Sequence, residues 1–93
     1  MVIGVLTLEI HLPYAESLKD KRHVVRKVKD RLRARFNVAV AELDHQELWQ
    51  RATIGVVTLS NDESNVEQVM QAVNAESQKI LGADLISSTM EIL

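Results

Sequence analysis

Two hydrophobic periodicities alternate along the chain, and their order limits the folds open to it more than any other feature. Val2–Leu12 is rich in β-branched and aliphatic residues and alternates apolar with polar side chains in its later half, as a half-buried strand does. Strand-like composition returns at Phe36–Leu43, Ala52–Leu59 and Asp84–Leu93. Two stretches between these segments place their apolar residues at helical spacing. The sequence therefore predicts the element order β-α-β-β-α-β.

Both helical stretches carry start and stop signals. The first is predicted over Ser17–Arg35, because Pro13 ends the preceding strand and the Ser17 hydroxyl is suited to an N-cap. Its apolar stripe is Leu18, Val25, Val28, Leu32 and Phe36. The second follows the turn signal Ser60-Asn61-Asp62 and ends at Gly82, which fits a helix C-terminal cap. Its apolar residues are Val66, Val69, Met70, Val73, Ile80 and Leu81.

This element order, with right-handed crossovers, favours an α+β ferredoxin-like sandwich. That arrangement has a four-stranded antiparallel sheet with two helices on one face. The two central strands are expected to form an antiparallel hairpin around the polar connection Asp44–Gln50. A length of 93 residues is enough for one hydrophobic core and too short for two. Residues 1–93 are therefore predicted to form a single domain.

The residues that most enzyme and cofactor sites need are missing or scattered. The chain has no cysteine, which excludes disulfides, thiolate metal sites and thiol nucleophiles. Its glycines are isolated, so there is no Walker loop and no dinucleotide fingerprint. The histidines fall in different predicted elements without metal-ligand spacing: His11, His23 and His45. We therefore predict no catalytic residue, no cofactor and no metal, and a protein that is not an enzyme.

A phosphate-ester or acyl-phosphate hydrolase is a weaker alternative, because small enzymes with this topology exist. Such an enzyme would need an anion cradle rich in glycine between the first strand and the first helix. Pro13-Tyr14-Ala15-Glu16 stands there instead.

The N-terminal segment is informative about the subcellular location of the protein. It has no basic leader, and Glu9 and His11 interrupt its apolar run well short of a membrane span. We therefore expect a cytoplasmic protein with no membrane partner.

Positive charge is concentrated in the first predicted helix. Nine of the eleven lysines and arginines fall between Lys19 and Arg35, so this segment carries a net +7 after Asp20 and Asp30 are counted, in a chain whose net charge is −2. A cationic helix on an otherwise acidic protein favours contact with a polyanion or with an acidic protein surface.

Five of these bases align on the helix. At about 100° per residue they form one narrow row, which we call the cationic stripe: Lys19, Arg22, Arg26, Lys29 and Arg33. The pattern is compatible with a solvated face whose bases pair with acids elsewhere in the fold, with binding to an acidic protein, and with binding to phosphates. Arginine forks suit phosphate oxygens, and five aligned bases match a nucleic-acid backbone. We therefore assign the cationic stripe as the candidate nucleic-acid-binding residues.

The helix-free face of the sheet offers a second candidate surface. The chain has only three aromatic residues, Tyr14, Phe36 and Trp49, and none is in the middle of a central strand, so base stacking on the sheet is disfavoured. The first strand presents a partly apolar face, which predicts a homodimer through the sheet. Trp49 is expected to plug one end of the core, with an exposed contact anchor as the alternative.

Several short motifs resemble those of a known family. They are SLKDKR at 17–22, RFNV at 35–38, AE at 41–42 and LWQRA at 48–52. Taken together, and over essentially the whole chain, they resemble the small bacterial YlxP-like family, a domain of unknown function. The resemblance implies a ferredoxin-like fold. It also implies a connection to RNA or the ribosome, because genes of this family often neighbour those of translation initiation and ribosome maturation factors. It supplies no catalytic or binding residues.

Two functional hypotheses follow from the sequence. The first is a non-enzymatic binding module that contacts RNA or the ribosome through the cationic stripe. The second is a homodimeric protein-interaction or regulatory module that uses its open sheet face, with the basic helix recruiting an acidic protein.

Overall fold

The computed structural model describes residues 1–93 and confirms the predicted order of elements. A short 3₁₀ turn at Gly82–Asp84 separates the second helix from the last strand. The strands are β1 (Val2–His11), β2 (Ala39–Asp44), β3 (Arg51–Ser60) and β4 (Leu85–Ile92), and the helices are α1 (Leu18–Arg35) and α2 (Glu63–Leu81).

The strands form one sheet in the order β2-β3-β1-β4, and every neighbouring pair is antiparallel. Both helices cover the same face, where alternate residues of β1 lie in one core with the apolar stripes of α1 and α2. This is the predicted ferredoxin-like sandwich. The opposite face, which we call the open sheet face, carries no helix.

The core forms because strand and helix periodicities meet on one side of the sheet. Leu6, Leu8 and Ile10 point from β1 toward the helices and are fully buried. Helix α1 adds Val25, Val28 and Leu32, and α2 adds Val66, Met70 and Val73. Burial of this apolar surface, at roughly 25 cal/mol per Å², is the main force that holds the two helices on the sheet.

The helix ends follow local chemistry. The Ser17 hydroxyl accepts a hydrogen bond from the Asp20 amide at 3.1 Å, as predicted for the start of α1. Helix α2 is capped by the carboxylate of Asp62, which accepts from the Ser64 amide at 3.1 Å. Gly82 adopts a positive φ of 55° at the end of α2, a conformation that favours glycine.

Strand β2 begins later than predicted and contains a bulge. Phe36 closes α1 instead of opening the strand, because its amide donates to the Leu32 carbonyl at 2.9 Å. A register shift lies between Glu42 and Asp44, and Leu43 follows Ala39 and Ala41 onto the open sheet face. There its side chain fills the space above Gly55, where a Cβ atom would lie only 2.6 Å from Leu43 Cδ1.

Candidate nucleic-acid interface

The bases of α1 do not all face solvent, because Lys21 is fully buried with 0% of its surface exposed. Its Nζ lies 3.0 Å from Glu42 Oε2 and donates to the carbonyl oxygens of His45 at 2.6 Å and Gln46 at 3.1 Å. The approach to Glu42 falls outside hydrogen-bond geometry, so charge alone joins these two groups. Lys21 therefore fastens α1 to β2 and to the loop after it, and is closed to any ligand.

Sequence reasoning overlooked this residue, although its position was informative. Lys21 precedes Val25, Val28 and Leu32 by four, seven and eleven residues, which places it inside the apolar stripe. A lysine at such a position must find an anion or several acceptors when the helix packs.

A second base of α1 is also paired within the molecule. Arg35 Nη1 lies 2.7 Å from Glu76 Oε2, so the end of α1 is joined to α2. The remaining seven bases of α1 have no carboxylate within ion-pair distance: Lys19, Arg22, Arg26, Lys27, Lys29, Arg31 and Arg33. The fold therefore neutralises two of the nine bases and leaves the cationic stripe unpaired.

Four of the five stripe residues line one depression of about 380 Å³ between α1 and β2. We call it the cationic groove, and its bases are Arg22, Arg26, Lys29 and Arg33. Arg33 also donates to the Val40 carbonyl at 3.3 Å, which holds its guanidinium against β2. Lys19 lies apart from the groove, in a separate depression at the start of α1 with Tyr14 and His23.

The charges around the cationic groove leave it positive. Its acidic groups are Asp30 and Glu42, and the Glu42 carboxylate is already matched by buried Lys21. The four bases are therefore opposed by Asp30 alone. From Arg22 to Arg33 the groove runs about 16 Å along the helix axis, which spans about four or five phosphates of one duplex strand.

The open sheet face is apolar at one end and polar at the other. At the apolar end a depression of about 180 Å³ lies among Val5, Ala41, Leu43 and Val57, and Leu59 nearby is 62% exposed. At the polar end the Thr53 hydroxyl donates to Glu9 at 2.8 Å, and Arg51 lies 3.9 Å from the same carboxylate oxygen. The aromatic residues lie outside the strands, at the end of α1 or in loops.

Trp49 does not plug the core, so the preferred prediction for this residue was wrong. It is 52% exposed and lies in the loop between β2 and β3. The buried residues next to this loop are instead Leu12 and Ala15, whose backbone groups hydrogen-bond with Gln50.

The loop before α1 is joined to the turn after α2 by a contact of Tyr14. Its phenol donates to Asp84 Oδ2 at 2.8 Å. Partial burial raises the pKa of Tyr14, and the hydrogen bond to Asp84 and the charge of that carboxylate raise it further.

The structure brings no three histidine, cysteine or carboxylate side chains together in an arrangement able to hold a metal ion. Neither helix has the length and apolar character that a membrane crossing would need.

Comparison with known proteins identifies relatives in sequence and in fold. The family model described as "Protein of unknown function (DUF503)" matches residues 3–90. The uncharacterised protein YlxP of Bacillus subtilis is 34% identical over 74 residues, which cover 80% of each chain. A de novo designed protein with ferredoxin fold superimposes with a TM-score of 0.54 at 10% identity, covering 100% of this chain and 83% of the design. Another de novo design, Foldit4, gives 0.51 at 12% identity over 99% of this chain and 92% of the design.

Proposed function

The chain belongs to the DUF503 family of proteins of unknown function, and we propose that it is a non-enzymatic cytoplasmic binding module that docks on structured RNA or on the ribosome through its cationic groove. The observation that carries this proposal is the alignment of Arg22, Arg26, Lys29 and Arg33 in one groove without an ion-pair partner.

The cost of this arrangement supports a role in binding. Like charges three or four residues apart repel by a few tenths of a kcal/mol each. The chain has 13 acidic residues, yet none of them forms an ion pair with a base of the groove. A polyanion that occupies the groove would remove this repulsion and release its own counterions.

The composition of the groove favours phosphate over a protein carboxylate surface. Three of its four bases are arginines, whose guanidinium groups bind phosphate oxygens through two parallel hydrogen bonds. Their spacing along one helix suits a backbone of regularly repeated charges. Sequence-specific recognition is not part of the proposal, because phosphate contacts carry no base information.

The decisive experiment reverses the groove charges and measures binding to ribosomal RNA and ribosomal subunits across a salt titration. The triple variant Arg22→Glu, Arg26→Glu and Arg33→Glu is expected to bind about 100-fold more weakly at low salt, with a salt slope smaller by roughly 3. Circular dichroism checks that the variant is folded.

A matched control separates the groove from net charge. The variant Lys27→Glu, Arg31→Glu and Lys79→Glu changes the net charge equally but spares the groove. It should keep most of the affinity. Equal losses in both variants would show diffuse attraction without a defined surface, and unchanged affinity in the groove variant would overturn the proposal.

A second candidate function is a homodimeric interaction module, favoured by the apolar end of the open sheet face. A stable dimer buries about 800 Å² per partner, and exposed Val57 and Leu59 beside the Leu43 depression are the apolar side chains that such an interface would use. Light scattering over a concentration series tests it. A dimer that dissociates on Leu59→Asp supports this function, and a monomer at high concentration refutes it.

A further inference from the structure

The loop between β2 and β3 is fastened at both ends, and we call residues 45–50 the clamped loop. At its start, Lys21 Nζ donates to the His45 and Gln46 carbonyls. At its end, Gln50 Nε2 donates to the Pro13 carbonyl at 3.2 Å and the Ala15 carbonyl at 3.3 Å. The Gln50 carbonyl in turn accepts from the Leu12 amide at 2.8 Å.

Between these fastenings the clamped loop exposes two large apolar side chains, Leu48 and Trp49. They border a shallow depression of about 520 Å³ together with Glu47, Gln50 and Arg51. A loop held at both ends loses little conformational entropy when a ligand covers it. The exposed indole of Trp49 is therefore preorganised for binding.

The clamped loop continues one end of the cationic groove. Glu42, which lines the groove, is followed along β2 by the loop, and Gln46 Nε2 donates back to its carbonyl at 3.4 Å. Lys21, which holds the loop, directly precedes Arg22 of the groove. The loop is therefore linked to the Arg22 end of the groove through Lys21 and Glu42, and we expect a strand whose phosphates extend past Arg22 to reach it.

We propose that Trp49 stacks on an unpaired base of the RNA whose phosphates occupy the cationic groove, so that the ligand is single-stranded or looped RNA and not a continuous duplex. This inference rests on the proposed function and narrows its ligand. A base that is free of its partner exposes a flat π face, and an aromatic side chain beside a positively charged track is how proteins commonly hold such bases.

The neighbours of Trp49 suit a nucleobase. Arg51 lines the same depression and can contact a phosphate or stack on a base, and the Glu47 carboxylate can accept a hydrogen bond from an exocyclic amine. An apolar protein partner would find only Leu48 and Trp49 as apolar side chains in this depression.

Trp49 is the only tryptophan of the chain, so fluorescence excited at wavelengths that tyrosine does not absorb reports on this site alone. The probes are three RNA oligonucleotides of equal length: a single strand, a hairpin with an open loop, and a blunt duplex. The single strand and the hairpin should quench the fluorescence as they bind, and the duplex should not.

Variants test the stacking itself. Trp49→Ala should weaken single-strand binding about tenfold, equivalent to ~1.4 kcal/mol, and change duplex binding less than twofold. Trp49→Phe should restore most of the affinity because it keeps an aromatic face. The neighbouring control Leu48→Ala should change binding less than twofold.

The outcomes separate this inference from the proposed function. Binding that requires the groove arginines but neither quenches Trp49 nor weakens in Trp49→Ala overturns the stacking and keeps the RNA-binding function. An equal effect of Trp49→Ala on single strand and duplex also overturns it. If no oligonucleotide binds at low salt, both proposals fall.

Discussion

The two helices occupy equivalent places on the sheet but expose very different surfaces. Helix α1 has 18 residues and α2 has 19, and each buries an apolar stripe in the same core. On α1 the charged residues are nine bases and two acids, whereas α2 has three acids and one base. Since α2 packs well with few charges, the fold does not require the cationic surface of α1. That surface is available for a function outside the fold.

The bases of α1 also differ among themselves, because two of them stabilise the fold. Lys21 is buried against β2 and Arg35 is joined to α2, whereas the groove bases touch no carboxylate. Charge on α1 is therefore of two kinds, and the following substitutions distinguish them.

The largest loss of stability is expected from substitutions in the apolar stripes that the two helices bury in the common core. Leu32→Ala in α1 and Met70→Ala in α2 each remove a fully buried side chain, and each should lower the free energy of unfolding by about 2–5 kcal/mol. Urea denaturation measures both. Similar losses would support the equivalence of the two helices, and a loss below ~1 kcal/mol in one of them would break it.

Replacing Lys21 is expected to come next. Lys21→Met leaves the Glu42 carboxylate without its cation and two loop carbonyls without their donor. The free energy of unfolding should therefore fall by about 3 kcal/mol. The matched control is Lys27→Met, an exposed and unpaired lysine on the same helix, which should stay within about 0.5 kcal/mol of the parent. Equal stability of the two variants would show that α1 has no structural base at this position.

A smaller effect is expected at the contact between the helices. Arg35→Ala removes the ion pair with Glu76, but the Arg35 side chain is 61% exposed and solvent screens it. We expect a loss of about 0.5–1 kcal/mol, reduced in high salt. A double-mutant cycle with Glu76→Gln isolates the coupling, and a value near zero would mean that packing alone holds the helices together.

The smallest effect concerns the hydrogen bond from Tyr14, before α1, to Asp84, after α2. Because the pKa of Tyr14 is raised in the folded state, folded protein retains its proton where unfolded protein has lost it. Its stability contribution is thus present below the ordinary pKa of tyrosine and declines as pH rises through the folded pKa. Tyr14 is the only tyrosine, so ultraviolet absorbance follows it directly, and Asp84→Asn should move the titration to lower pH. An unchanged titration in that variant would exclude Asp84 as a cause.

The sequence was sufficient to predict those structural features that depend only on residues close together in the chain. The element order, the Ser17 cap and the Gly82 terminus each follow from a few adjacent side chains, and the structure confirms them. The alignment of the groove bases follows equally from helical spacing.

The contacts that sequence reasoning could not foresee join residues far apart in the chain. Arg35 and Glu76 are 41 residues apart, and Lys21 reaches carbonyls 24 and 25 residues away. These contacts depend on how a loop closes over a helix, and no local pattern encodes that. Trp49 lies in the same loop and is exposed, so the prediction that it plugs the core was wrong for the same reason.

The ion pair between buried Lys21 and partly buried Glu42 has a consequence for how this sequence can evolve. A mutation that removes one charge leaves the other without its partner. The two positions should therefore covary, and both should be replaced together, for example by two apolar residues. Arg22, Arg26 and Arg33 have no such mutual dependence and are free to vary one at a time, limited only by what the groove must bind. Covariation at positions 21 and 42 would thus reflect the requirements of the fold, whereas variation in the groove would reflect the requirements of its ligand.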